Sequence, residues 1–137
     1  MRRREQQHLI DTRYEGRGLE VYTVDGEKLT GLVDEVATFE IGMVVEGRPV
    51  VVNRKAILYA VTGLSDIHGW HPEECCESDY VLDEDFIGAD VVVKLVNGSE
   101  ISGRLMKLSR YEIGVVQGNR AYIIPRRSIS FVKIMSR

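Results

Sequence analysis

The chain has 137 residues, 44% of them apolar and 28% charged, with a net charge of −3. That is an ordinary globular balance for one domain or two very small ones. No run approaches the roughly 18 uncharged apolar residues of a membrane-spanning helix, so no membrane partner is expected. The basic start Met1-Arg2-Arg3-Arg4 runs into Glu5-Gln6-Gln7-His8 rather than an apolar stretch, unlike a secretory signal. The two cysteines, Cys75 and Cys76, are adjacent and cannot staple distant segments. A reducing, cytoplasmic setting is the expectation.

Taken in chain order, residues 4–13 read as a short helix, thin in apolar content. Val21–Val24 reads as a β-strand, and Asp25-Gly26 after it is a strong hairpin signal. Lys28–Val36 follows as a second strand with Gly31 inside it, the mark of a sharp bend or bulge. Phe39–Val45, the turn Glu46-Gly47, Val50–Val52 and Ala56–Val61 complete a set of five short strands. Residues 63–87 then carry eight acids and no Lys or Arg, a polar linker with one helical turn expected near Pro72. Beyond it the pattern returns: Val91–Val96, Asn97-Gly98, Glu100–Leu108 with Gly103 inside it, Tyr111–Gln117, Gly118-Asn119, Tyr122–Ile124 and Ser128–Met135.

The return is a duplication. A shift of 72 residues aligns 19–62 with 91–134 without a gap, and eleven of the 44 pairs are identical. Composition alone would give roughly two or three. The match reaches upstream, where Ile10-Asp11 aligns with Leu82-Asp83. The fold class expected is therefore all-β, with two tandem, five-stranded, strongly bent antiparallel small barrels. The domains read as 1–62, an acidic linker 63–87, and 88–137. Charge is unevenly spread: residues 1–62 are net −1, the linker is net −8, and residues 88–137 are net +6.

Val21–Val33 with Phe39-Glu40-Ile41 and Asn53-Arg54-Lys55-Ala56-Ile57 form a pattern that resembles the Sm-like fold, most of all its Hfq branch. The second copy repeats it as Val93–Leu105, Tyr111-Glu112-Ile113 and Pro125-Arg126-Arg127-Ser128-Ile129. The resemblance covers roughly 90 of the 137 residues. Hfq carries a Lys-His pair where this chain has Arg54-Lys55 and Arg126-Arg127, and Hfq has one domain where this chain has two copies. The resemblance implies a non-enzymatic RNA-binding protein that closes a ring of six folds from three chains. It places the two basic pairs at the central pore, and the aromatics Phe39 and Tyr111 beside it as base-stacking platforms.

Clustered Arg and Lys attract phosphates, Arg forks onto one or stacks on a base, and an aromatic ring is a sequence-tolerant platform. Single-stranded RNA and a homotrimer are thus the expected partners. The plainer reading makes the basic pairs solvated turns, puts Phe39 in a barrel core, and sets Glu40 and Glu112 on outward strand positions. A protein-interaction scaffold of the same fold, without RNA, stays open beside the RNA reading. No catalytic grouping, phosphate loop or metalloprotease motif is present, so no enzyme and no cofactor are expected. His68, His71, Cys75 and Cys76 are potential zinc ligands, but their spacing fits none of the usual fingers, and no zinc is expected. Trp70, the only tryptophan, is expected to pack the linker against a barrel face.

Overall fold

The computed structural model describes residues 8–64 and 79–136. The linker histidines and cysteines, Trp70 and the helical turn expected near Pro72 lie outside them. Among these described residues, ten strands pair antiparallel in one sheet. The first half supplies β1 (Gly18–Thr23), β2 (Lys28–Val36), β3 (Glu40–Val45), β4 (Arg48–Asn53) and β5 (Ile57–Gly63). The second supplies β6 (Asp90–Leu95), β7 (Glu100–Leu108), β8 (Glu112–Gln117), β9 (Arg120–Pro125) and β10 (Ile129–Ser136). The spatial order is β10-β6-β7-β8-β9-β5-β1-β2-β3-β4. Each half keeps its own five strands in the same order, and the halves are joined where β5 pairs with β9. The terminal strands of the sheet are β4 and β10.

The 72-residue repeat extends to register. Gly18 pairs with Leu32 and Asp90 with Arg104; Glu40 pairs with Asn53 and Glu112 with Pro125. Both β2 and β7 slip register against their partners, between Val33 and Glu35 and between Leu105 and Lys107. Such bulges bend a strand and raise its twist. Gly31 and Gly103 let the bent strands close up. A Cβ on Gly31 would sit 2.0 Å from the Val44 carbonyl oxygen, and one on Gly103 would sit 2.4 Å from that of Val116. The hairpin signals are also seen: Gly26 and Gly98 take φ values of 96° and 95°, which glycine adopts without strain.

Among the described residues there is no α-helix. The described part of the segment expected as a short helix, residues 8–13, runs irregularly into a 3₁₀ turn at Thr12–Tyr14. Asp11 caps that turn by accepting a hydrogen bond from the Arg13 N–H at 3.0 Å. Asp83 does the same for the turn Glu84–Phe86, through the Asp85 N–H at 3.1 Å. A short polar side chain that satisfies its own backbone competes with helix, and here it wins. The end of the segment read as linker thus repeats the local structure of residues 11–14. The buried core runs through both halves, from Leu9, Ile10, Tyr14, Val21 and Ile41 to Leu95, Leu105, Ile113 and Ile123.

Candidate nucleic-acid interface at the junction of the repeats

Each basic pair stands on a 3₁₀ turn that joins the fourth strand of its half to the fifth, Arg54–Ala56 and Arg126–Ser128. Asn53 caps the first by accepting from the Lys55 N–H at 2.9 Å, whereas Pro125 gives the second no side-chain cap. The turn is tied to the aromatic of its own half. The Arg54 N–H donates to the Phe39 carbonyl at 3.0 Å, and the Arg126 N–H to the Tyr111 carbonyl at 2.8 Å. Each half thus sets an aromatic beside a basic pair.

The two members of each pair do different work. Arg54 is buried, and its Nη2 donates to the carbonyls of Ile10 at 2.8 Å and Ala37 at 3.0 Å. Arg126 repeats this clamp, with Nε donating to the Ser109 carbonyl at 3.1 Å and Nη1 to the Leu82 carbonyl at 3.2 Å. Its guanidinium also lies 4.0 Å over the Tyr80 ring. Burial lowers the pKa of both arginines, opposed by Glu112 and Asp11 for Arg54 and by Tyr80 and Asp83 for Arg126. An arginine stays charged at neutral pH in either case. Lys55 and Arg127 are the exposed members. Where the sequence offered four cations per chain, the structure turns two to the surface and uses two as clamps. Arg127 reaches across the junction, donating to the Arg54 carbonyl at 2.6 Å.

Phe39 is 75% exposed and belongs to no core, unlike the plainer reading of it. Tyr111 is 43% exposed, and one face is covered by the His8 ring, stacked at 4.8 Å and 22°. The two glutamates diverge most. Glu40 faces solvent, while Glu112 is buried at the junction. The Glu112 carboxylate accepts from the backbone N–H groups of Leu9 and Ile10, the latter at 3.3 Å, and lies 3.3 Å from His8 Nδ1. Its Oε2 is also 3.5 Å from Arg54 Nη1. An acid of the second half therefore grips the first segment of the first half. Sequence reasoning set both glutamates outward; the buried role of Glu112 arises from a partner about a hundred residues away.

Between them these groups enclose a cavity of about 50 Å³, lined by His8, Arg54, Tyr111, Glu112, Pro125 and Arg127 among others. That holds a few waters and not a base. A nucleobase on Tyr111 has to displace His8 or use the ring's open face. No family model, curated protein or solved structure matches the chain.

Proposed function

We propose that the chain is a non-enzymatic, Sm-like single-stranded RNA-binding protein that works as a pseudo-hexameric ring of three chains. The observation that carries this reading is doubled: an exposed aromatic is tied through its backbone to a turn that carries an exposed cation, Phe39 to the turn of Lys55 and Tyr111 to the turn of Arg127. A stacking platform next to a phosphate-seeking cation is the minimal unit for a base and its backbone, and it is sequence-tolerant. Two such units per chain, repeated around a ring, would track a strand.

The test is binding of labelled oligo-U and oligo-A across a salt series. Wild type should bind more weakly as salt rises. The double variant K55A/R127A should weaken binding and flatten the slope of log K against log salt by roughly 0.7 for each phosphate that is no longer neutralised. Lys55 makes no side-chain hydrogen bond among the described residues and Arg127 makes one across the junction, to the Arg54 carbonyl, so the variant should keep its fold, with its melting temperature as the check. An unchanged affinity and slope would remove the site.

The scaffold reading is favoured by one observation. Arg54 and Arg126 are engaged with the chain's own carbonyls, and His8 covers one face of Tyr111. Absence of any RNA binding at low salt would select it.

A further inference from the structure

The junction between the halves is built from residues whose counterparts, 72 positions away, lie at the two ends of the sheet. Leu9 is 1% exposed under Glu112; its counterpart Val81 is 89% exposed. Ile123, on the β9 side of the junction, is 1% exposed; its counterpart Val51, on β4, is 67% exposed. Glu112 is buried and bonded; Glu40 is exposed, and its carboxylate makes no hydrogen bond among the described residues. Tyr111 is stacked on His8; Phe39 is bare, and Tyr80 holds the place of His8. Leu9 and Ile10 give their N–H groups to a carboxylate, while the N–H groups of Val81 and Leu82 have no bond among the described residues.

The two halves of the unmade contact sit on opposite ends of one chain. Phe39, Glu40 and β4 lie at one end, and Tyr80–Leu82, Arg126 and β10 at the other. We infer that a second copy of the chain docks head to tail, its Tyr80–Leu82 segment seated on Phe39-Glu40 of the first as His8–Ile10 is seated on Tyr111-Glu112. In that contact Glu40 accepts from the Val81 and Leu82 N–H groups of the other copy. Arg126 takes the place of Arg54 beside the carboxylate. β10 then pairs with β4 in the register of β5 with β9, Val132 opposite Val51 and Ile134 opposite Pro49. One contact buries the exposed Val51 and Val81 and gives the Glu40 carboxylate two directed N–H donors in place of water. Arg48, Pro49 and Lys133 on the same edges discourage indiscriminate strand pairing, so the latch selects the partner. Pro49 also leaves β4 one N–H donor fewer than β9, where Ala121 stands.

This inference deepens the ring part of the proposed function and is independent of RNA. Light scattering on the full chain at micromolar concentration, beside its melting temperature, tests it. Wild type should exceed 15.5 kDa, as a closed ring or a longer head-to-tail array. Glu40→Lys spoils one end and Val81→Asp the other, both at exposed positions that leave the melting temperature of the monomer intact. Each should weaken association by roughly tenfold to a hundredfold, the reduction expected for charge-assisted hydrogen bonds. Mixed in equal amounts, the two variants each keep one sound end. They should form a dimer of one E40K and one V81D chain, and stop there. A monomeric wild type overturns the inference and the ring together. A wild-type assembly that persists unchanged in E40K and V81D overturns the latch and leaves the ring. Loss of RNA binding in an intact assembly touches only the RNA reading.

Discussion

Removing the Glu112 carboxylate would leave the Arg54 guanidinium without the acid 3.5 Å away and two backbone N–H groups without an acceptor. Breaking a buried pair by deleting one partner costs about 3–5 kcal/mol. Glu112→Ala should therefore lower the unfolding free energy by about that amount in chemical denaturation. Glu40→Ala, the same change on the equivalent strand, faces solvent in the single chain and should stay within about 0.5 kcal/mol under conditions where the chain is monomeric. The arginines divide in the same way. Arg54→Ala removes donors to the Ile10 and Ala37 carbonyls and should destabilise, whereas Arg127→Ala should act on RNA affinity far more than on stability. Arg54→Lys should fail to rescue, because an ammonium cannot fork onto two carbonyls in the planar geometry a guanidinium offers. A comparison of melting temperatures for these three variants checks the division.

At the scale of the strand, the two bend glycines make a sharper claim than their presence in a β pattern. Gly31→Ala and Gly103→Ala each drive a Cβ into a backbone carbonyl, of Val44 or Val116, that no rotamer change can move. Each should destabilise by about 1–3 kcal/mol, the usual cost of forcing extra volume into a packed site. Gly42→Ala is the control. Its Cβ would meet nothing nearer than the Glu35 carbonyl at 3.5 Å, an ordinary contact, so thermal melts should place it close to wild type. Strand positions were legible in the sequence because β-branched runs, Asn/Asp-Gly turns and the 72-residue register all pointed the same way. The role of Arg54 and Arg126 was not. A basic pair on a turn looks solvated, and only the return of residues 10 and 82 to that turn buries its first member. The upstream reach of the repeat was legible in the alignment of Leu82-Asp83 with Ile10-Asp11, and Asp83 caps a turn as Asp11 does, whereas the acidity of Tyr80–Ile87 made the same stretch look like linker.

Across the whole molecule, the two halves are joined by β5 with β9, by Glu112 on the His8–Ile10 segment, by Arg127 on the Arg54 carbonyl and by Ser128 Oγ on the Ile57 carbonyl at 3.1 Å. A junction of that kind couples their stabilities. Calorimetry of the monomeric chain should show one transition, with calorimetric and van't Hoff enthalpies equal. Glu112→Ala, which loosens the junction without touching either half's hairpins, should be the variant that splits it. Which glutamate would be buried was not legible in the sequence. The repeats are alike there, and the difference comes from their order along the chain: Glu112 receives the His8–Ile10 segment of the half before it, and Glu40 receives no equivalent segment among the described residues.

That order has a temporal side. Ala60 pairs with Ile123, about sixty residues later, and a ribosome takes roughly 3–12 s to make such a length. Throughout that interval the emerging amino-terminal half holds β5 without β9, and Leu9 without Glu112. A nascent chain in this state matches the β9 of a neighbouring chain whose own halves have not yet joined as well as it matches its own. On a crowded message the same complementarity that joins the halves favours exchange of halves between neighbouring chains, and the net −8 run between them is a like charge that opposes it.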